Sequence, residues 1–367
     1  MASQGEKEKR PKAPTNSTSF FSATQFFEHQ TPPPNLAAHH EQVQEFVDRH
    51  AKQGRKVVLV TSGGTTVPLE QNVVRFLDNF SAGTRGATSA EYFLESGYAV
   101  IFMHRQHSLS PYTRHYSHTT NPFLDLLTTS PSSAQGSGDG GRKTEIRVLE
   151  QHATALLPVL EAYHRAVDAG TLLRIPFTTV TEYLFMLRDM SRLMRPLGRR
   201  GMYYLAAAVS DFYVPSQKTP EHKIQSGKGS LVIEMDQVPK VLKPMVQQWA
   251  PEGYIVSFKL ETDQDLLIPK ARAALERYGH QVVVGNDLHR RKFEVVFVEP
   301  DSSQEEGYRE TWIKLKPPLA EAGADAGTRS DTETKPGATG GTEKEIEEDI
   351  VRELSKRHED WIRQGSQ

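Results

Sequence analysis

The sequence predicts an α/β fold with three layers, in which a mostly parallel β-sheet carries helices on both faces and ends in a C-terminal antiparallel hairpin. Two observations predict this fold. Short, nearly all-apolar runs typical of strands alternate with amphipathic stretches typical of helices. Strands that are apolar on both faces need cover on both sides, which indicates a parallel sheet between helical layers, joined by right-handed crossovers.

The elements are expected in a regular order. A helix over residues 40–53 leads into the strand RKVVLVTS at 55–62, and a helix over 87–96 leads into the strand YAVIFM at 98–103, which makes a βαβ unit. Later helices are expected near 155–169, 181–194 and 265–278, and later strands at LLRIPF (172–177), MYYLAAAV (202–209), YIVSFKLE (254–261), QVVVGN (281–286), FEVVFVE (293–299) and TWIKLK (311–316).

Polar, low-complexity stretches set the expected limits of the folded region, because they lack the apolar residues that offset the cost of ordering a chain. Residues 1–34 are expected to be mostly disordered, and the α/β domain should span 35–316 with a flexible insert near 128–142. A low-complexity insert should follow at 317–341, and a C-terminal helix at 342–364 should pack on the domain.

The composition excludes several classes of function. The 44 basic and 46 acidic residues are well mixed and give a net charge of -2, so no basic face is available for nucleic acid. No apolar run reaches the roughly 20 residues of a membrane helix, and the N-terminus lacks the apolar core of a secretory signal. We therefore expect no membrane partner and a cytoplasmic location, with the nucleus as a second compartment. The chain has no cysteine, which removes disulfides and thiolate chemistry.

Four strand ends carry small or polar residues, namely TSGGTT at 61, AAAVSDF at 206, FKLE at 258 and GND at 285. Carboxyl ends of parallel strands are where ligands bind in such sheets. Gly63 and Gly64 would let backbone N–H groups approach phosphate, and FSAGTRGA at 80–87 adds donors at the start of a helix. An ordinary tight turn would also explain the two glycines. However, a tight turn would not require the additional loop that carries Arg75 and Asn79.

Two further residues are candidates for ligand contacts. Asp211 follows the small side chains of AAAVSD and could accept hydrogen bonds from a slender ligand, although a turn or helix-cap aspartate looks the same in sequence. Lys223, in EHKIQS, could supply a positive charge from a mobile loop, although exposed lysines are usually only solvated.

A dinucleotide-dependent oxidoreductase is the main competing hypothesis, because it shares the Rossmann-like fold. However, TSGGTT is not G-x-G-x-x-G, and the second strand ends in His104 and Arg105 rather than in an acid. P-loop and H-E-x-x-H motifs are also missing. The pairs His104/His107 and His115/His118 have zinc-like spacing but no acidic neighbours, so solvated histidines are the better interpretation and no metal-ligating residue is assigned.

Taken together, VTSGGTTVPLEQNVVRFLDNFSAGTRGATSAE, YLAAAVSDFYVP, EHKIQS, VSFKLET and VVVGN resemble the phosphopantothenoylcysteine synthetase (phosphopantothenate–cysteine ligase) family, in its stand-alone eukaryotic form. The resemblance covers nearly all of the expected ordered chain. It implies a ligase of coenzyme A biosynthesis that joins 4'-phosphopantothenate to L-cysteine through an acyl-nucleotidylate. Pyrophosphate and a nucleoside monophosphate would be released, and Mg²⁺ would screen the phosphates.

The resemblance also implies roles for individual residues. The expected nucleotide contacts are Gly63, Ser81, Gly83, Gly86, Phe258 and Asn286. The expected phosphopantothenate contacts are Asn79, Ala207, Ala208 and Asp211, and the expected catalytic residues are Asn79 and Lys223. Arg75 would reach the substrate phosphate of the neighbouring subunit, which implies a homodimer. ATP is the expected co-substrate in preference to CTP. A catalytically inactive nucleotide-binding module fits the same glycines and stays open.

Overall fold

A computed structural model describes residues 22–116, 122–131, 144–226, 229–315 and 344–365. Its centre is a sheet of eight strands, which we number in chain order. The strands are β1 (Val57–Ser62), β2 (Ala99–Arg105), β3 (Leu172–Phe177), β4 (Gly201–Leu205), β5 (Tyr254–Glu261), β6 (Val282–Asp287), β7 (Glu294–Pro300) and β8 (Tyr308–Lys314).

The strands lie side by side in the order β3-β2-β1-β4-β5-β6-β7-β8. The first six strands in this order are parallel. The pairs β6–β7 and β7–β8 are antiparallel. The first six strands thus have the order of a doubly wound dinucleotide-binding sheet. This confirms the mostly parallel sheet and the C-terminal antiparallel hairpin predicted from the sequence.

Seven α-helices of seven residues or more pack around the sheet in the described ranges. They are α1 (Ala23–His29), α2 (Leu36–Lys52), α3 (Thr84–Glu95), α4 (Glu150–Asp168), α5 (Val180–Leu193), α6 (Gln264–Tyr278) and α7 (Ile346–Gln364). None of these described helices is long and apolar enough to span a membrane.

Alternate side chains of the central strands bury against opposite helical layers, as a period of two requires. Leu59 on β1 belongs to a core shared with α2 and α5, whereas Val58 and Val60 belong to a core shared with α3 and α7. Leu267 on α6 packs in a third cluster that covers β6 and β7. Helices therefore cover both faces, which confirms the three-layer prediction.

The packed region begins earlier than the predicted limit at residue 35. A capping box formed by Ser22 and Gln25 opens α1, and Phe26 from this helix is fully buried. The ring of Phe26 contacts those of Phe185 and Tyr213 at centroid distances of 6.4 and 5.1 Å. A seven-residue helix is shorter than the periodic window from which helices are predicted, so the sequence pattern missed it.

Other boundaries also differ from the predictions. The strand predicted over 202–209 ends at Leu205, because the chain from Ala206 onward turns to bond with the loop after β1. Part of the insert predicted at 128–142 is paired, since Leu127–Pro131 and Thr144–Val148 form an antiparallel ladder. Residues 132–143 and the insert at 317–341 lie outside the described residues.

Candidate active site

The carboxyl ends of β1 and β4 define the centre of the candidate site. The chain leaves β1 toward β2 and leaves β4 toward β5, so the two adjacent strands send their connections in opposite directions and open a crevice between them. In this crevice the Ala208 N–H donates to the Gly63 carbonyl at 2.8 Å, and the Thr65 N–H donates to the Ala208 carbonyl at 3.0 Å. The structure thus brings together two segments that the sequence predicts to bind a ligand.

Gly64 fixes the position of Asn79. A Cβ atom at Gly64 would lie 1.6 Å from the Asn79 carbonyl oxygen, so only glycine fits beneath this loop. The Asn79 N–H donates to the Thr65 carbonyl at 3.1 Å. These contacts hold the backbone of Asn79 against the end of β1.

The second glycine-rich loop leads into α3. Gly83, with φ 83°, precedes the helix, and its carbonyl accepts a hydrogen bond from the Ser62 hydroxyl at 3.0 Å. A Cβ atom at Gly86 would lie 2.4 Å from Ser62 Cβ, so the first turn of α3 packs directly on β1. Ser81 Oγ accepts the Gly83 N–H at 3.4 Å. The amino end of a 12-residue helix therefore faces the crevice beside the glycines, an arrangement that suits phosphate.

Phe258 and Asn286 lie on the same edge of the sheet, on β5 and β6. Register pairs Phe258 with Val284 and Asn286 with Leu260. The Phe258 ring packs edge-on against Tyr204 with centroids 4.9 Å apart, and Asn286 is 6% exposed. Phe258 thus lies in the carboxyl-terminal half of β5, and Asn286 is the last residue but one of β6.

The segment after β4 is tied to β1 through its backbone. The Ala207 N–H donates to Thr61 Oγ1 at 3.2 Å, and the Ser210 N–H donates to Thr65 Oγ1 at 3.0 Å. Asp211 follows with its side chain 76% exposed and 3.4 Å from Lys240 Nζ. The alanines are therefore held in place, whereas the aspartate carboxylate is accessible to a ligand.

Arg75 and Lys223 lie on two loops that contact each other. The Arg75 Nη2 donates to the Ile224 carbonyl at 3.0 Å, and Nη1 lies 3.6 Å from an oxygen of Glu70. Lys223 is exposed next to Ile224. In this single chain the structure thus places the two predicted cationic residues close together.

Sequence reasoning missed two ion pairs that shape the site. Glu70 is fully buried beneath the Arg75 loop. Arg105, at the end of β2, pairs with Asp78, the residue before Asn79. Glu70 and Arg105 are visible in the sequence as an acid and a base. Nothing local to either residue shows that Glu70 is buried or that Arg105 pairs with Asp78.

The protonation of Glu70 follows from its surroundings. Burial raises the pKa of Glu70, but the backbone N–H groups of Arg75, Ile224 and Val74, together with the charge of Arg75, outweigh that effect. The net pKa lies below the usual glutamate value, so the buried carboxylate is ionised at neutral pH.

Metal ligands do not cluster in the described part of the chain, where no group of three or more His, Asp or Glu side chains could hold an ion. His104 is partly buried, which lowers its pKa, and its Nδ1 lies 2.9 Å from the Arg105 carbonyl. His115 contacts Glu91 at 3.2 Å, and its predicted companion His118 lies outside the described residues.

Several known proteins are similar to this chain. A model of the DNA/pantothenate metabolism flavoprotein C-terminal domain matches residues 179–306. The phosphopantothenate–cysteine ligase of Homo sapiens is 46% identical over 330 residues, which cover 90% of this chain and 95% of the relative. The Saccharomyces cerevisiae ligase is 38% identical over 360 residues, which cover 92% of this chain and 86% of the relative.

A solved structure is also similar along almost the whole chain. It is a Cab2 mutant in complex with phosphopantothenate-cysteine, and the alignment covers 94% of this chain and 99% of that one. The two share 39% sequence identity and superpose with a TM-score of 0.76.

Proposed function

The chain belongs to the phosphopantothenate–cysteine ligase family, and we propose that it uses a nucleoside triphosphate to join 4'-phosphopantothenate to L-cysteine in coenzyme A biosynthesis. The observation that carries the proposal is the junction of β1 and β4, where both glycine-rich loops, Asn79 and the backbone of Ala207 and Ala208 converge. The crevice offers backbone donors, an amide and a carboxylate. These groups suit acyl activation, which depends on positioning and charge stabilisation.

The first step activates the substrate carboxylate. One carboxylate oxygen attacks the α-phosphorus, the bond from that phosphorus to the bridging oxygen breaks, and pyrophosphate leaves with the electron pair. We assign the nucleotide to the glycine loops and the amino end of α3, through Gly63, Ser81, Gly83 and Gly86. Phe258 and Asn286 complete this assignment farther along the same edge.

The second step forms the amide. The cysteine amine attacks the acyl carbon, the bond from that carbon to the phosphoryl oxygen breaks, and the amine loses a proton as the nucleoside monophosphate leaves. Asn79 suits the stabilisation of the acyl oxygen, because an amide N–H donates without repelling phosphate. The fixed backbone of Asn79 supports this role.

The phosphopantothenate would lie along the segment after β4. Ala207 and Ala208 offer a surface without bulky side chains, and the exposed Asp211 carboxylate can accept hydrogen bonds from the pantothenate hydroxyl or amide groups. Arg75 and Lys223 supply positive charge for the phosphate and for the developing negative charge.

Mg²⁺ is the metal that this chemistry requires. Bound to a triphosphate, it takes most of its oxygen ligands from phosphates and water, so one or two protein carboxylates suffice. Asp287 fits such a role, because it ends β6 beside Asn286 and its Oδ1 is fixed by the N–H groups of His289 and Arg290 at 2.8 and 3.1 Å. When bound, Mg²⁺ would screen the phosphate charge during pyrophosphate departure.

Pyrophosphate release tests the proposal. Purified protein with 4'-phosphopantothenate and Mg²⁺ should release pyrophosphate in the presence of ATP, with CTP weaker, and cysteine should convert this release into sustained turnover. The preference for ATP rests on the similarity to eukaryotic relatives. Absence of release with either nucleotide would contradict the ligase and favour an inactive nucleotide-binding module.

We also propose a homodimer. Large apolar side chains are exposed on the loop after Asn72 and in the region of Phe212 and 231–233. These side chains are Val73, Val74, Phe76, Leu77, Phe80, Phe212, Leu231, Val232 and Ile233. Phe80 is 74% exposed and Val232 is 88% exposed, which is unusual for a monomer and typical of an interface.

Subunit mixing tests whether Arg75 acts in the neighbouring site. Coexpression of Asn79→Ala and Arg75→Ala chains yields mixed dimers. If Arg75 crosses the interface, one of the two sites in each mixed dimer has both Asn79 and Arg75 intact. Random mixing should then restore about one quarter of wild-type activity. If Arg75 serves its own chain, every site lacks one residue and the mixture stays as inactive as its parents.

A further inference from the structure

Glu70 lies where two loops meet that are far apart in the sequence. It is fully buried, and its contacts go to both loops. Its Oε2 accepts the Arg75 N–H at 3.0 Å, and its Oε1 accepts the Ile224 N–H at 3.4 Å. One carboxylate therefore bridges Arg75 and Ile224, which are 149 positions apart in the chain.

Other hydrogen bonds join the same two loops. The Gln71 N–H donates to the Pro220 carbonyl at 2.9 Å, and the Asn72 N–H donates to the Glu221 carbonyl at 3.1 Å. At the other end of these loops, the Arg75 guanidinium donates a hydrogen bond to the Ile224 carbonyl. Residues 69–75 and 219–224, which we name the paired loops, thus lie side by side outside any named strand.

We propose that Glu70 is a positioning residue that holds the paired loops as one unit, so that Arg75 and Lys223 reach the substrate together. The proposal rests on the proposed function and deepens it, because neither loop has regular secondary structure to orient its cation. Glu70 would touch neither substrate nor nucleotide. It would act through the two residues whose loops it joins.

The chemistry of the carboxylate explains why glutamate is suited to this position. Both oxygens of an ionised carboxylate accept hydrogen bonds, whereas a glutamine amide carries an NH₂ group that cannot accept. A glutamine at this position must therefore turn its NH₂ group toward at least one of the N–H donors, which are those of Val74, Arg75 and Ile224. That donor is then left unsatisfied in a buried place, which is costly.

Hydrogen exchange on the full chain without substrates tests the coupling directly. In Glu70→Gln, amides in both paired loops should exchange at least tenfold faster than in the wild type, as expected for the loss of a charged hydrogen bond. Glu221→Gln is the matched control, because it removes an exposed carboxylate from the partner loop, 219–224. Wild-type exchange in Glu70→Gln would overturn the proposal.

Steady-state kinetics separate positioning from general damage. Glu70→Gln should raise the KM for 4'-phosphopantothenate about tenfold while leaving the KM for the nucleotide within about twofold of the wild type. Glu70→Asp keeps the charge and both acceptors, so it should lie between the wild type and Glu70→Gln in both measurements. An equal rise in both KM values would contradict the assignment.

The two proposals can fail separately. If the wild type shows no ligation but Glu70→Gln still loosens both loops, the function is wrong and the loop coupling stands. If ligation occurs and neither Glu70 variant changes exchange or KM, the ligase stands and the role of Glu70 is refuted. If Glu70→Gln fails to fold, the same criteria apply to Glu70→Asp, whose exchange and KM must then differ from those of the Glu221→Gln control.

Discussion

The two edges of the central sheet are built in opposite ways. At the carboxyl edge, loops from β1 and β4 meet through backbone hydrogen bonds, and side chains such as Asp211 and Lys223 stay accessible. At the amino edge, His358 from the C-terminal part of α7 meets Tyr98, just before β2, and Tyr254, at the start of β5; Tyr98 and His358 are fully buried.

At the amino edge, the buried polar side chains of Tyr98 and His358 have hydrogen-bond partners within the protein. The Tyr98 hydroxyl donates to His358 Nδ1 at 2.9 Å, and His358 Nε2 donates to the Arg199 carbonyl at 2.8 Å. The Tyr98 and His358 rings stack with centroids 5.7 Å apart. Buried side-chain contacts thus dominate at this edge, and accessible polar side chains at the other. Substitutions at the two edges should therefore separate activity from stability.

The largest expected effect is at Asn79. Its contacts in the structure use the backbone, so Asn79→Ala should fold with unchanged stability and lose about 10² to 10³ in turnover, the usual effect of removing one donor to a developing charge. Steady-state pyrophosphate release and thermal unfolding measure the two quantities. Asn35→Ala, at an exposed position without a side-chain cap hydrogen bond, is the control. Full turnover by Asn79→Ala would remove this residue from the site.

Gly64→Ala should damage both properties, because the added Cβ would overlap the Asn79 carbonyl. Displacing Asn79 by about 1 Å should cost about 100-fold in activity, and the overpacking should cost about 1 to 3 kcal/mol of unfolding free energy. Gly97→Ala is a useful control, because a Cβ atom there meets open space and its cost comes only from a φ of 81°, a strain that Gly64 does not share. A Gly64→Ala protein with wild-type turnover would show that the loop is free to move.

His358→Ala should affect stability alone. It removes a stacked ring and leaves the Tyr98 hydroxyl and the Arg199 carbonyl without their partner, at a cost of about 2 to 3 kcal/mol in urea unfolding. Glu359→Gln, which breaks an exposed ion pair with Lys56, should cost under about 1 kcal/mol. Activity per folded molecule should be unchanged in both. A selective loss of turnover in His358→Ala would break the separation of the two edges.

Acid should weaken the fold through buried histidines. Burial lowers the pKa of both His280 and His358 to about 4, below the value of 6.5 in an unfolded chain. The unfolded state then binds more protons, so their contribution to stability is complete above pH 6.5 and is lost as the pH falls toward 4. At pH 5 each histidine should account for about 2 kcal/mol of lost stability.

Urea unfolding at pH 7 and pH 5 measures this loss. In His358→Gln, which cannot titrate, the difference between the two pH values should shrink by about 2 kcal/mol relative to the wild type. An unchanged difference would mean that His358 does not stay neutral in the folded protein.

The sequence predicted the sheet well because its signal is local. The bounds of LLRIPF and YIVSFKLE match β3 and β5 to the residue, since each is a short apolar run between polar turns. The alternation of helices and strands also implies which strand ends face the same edge. The predicted contact residues therefore lie on one edge, although their roles in binding and catalysis stay predictions.

The missed features depend on distant partners. The burial of Glu70 requires Ile224, and the pairing of Arg105 requires Asp78, and neither partner is indicated by periodicity. The helix α1 is too short for its pattern to be recognised, although Phe26 anchors it. The cytoplasmic location and the choice of nucleotide likewise stay predictions.

Oxygen tracing tests the central claim most directly. With 4'-phosphopantothenate whose carboxylate carries ¹⁸O, attack on the α-phosphorus followed by amide formation must transfer one labelled oxygen to the nucleoside monophosphate. Mass spectrometry should find the label in that product and none in pyrophosphate. Label in inorganic phosphate, or the absence of 4'-phosphopantothenoylcysteine, would contradict ligation through an acyl-nucleotidylate at this site.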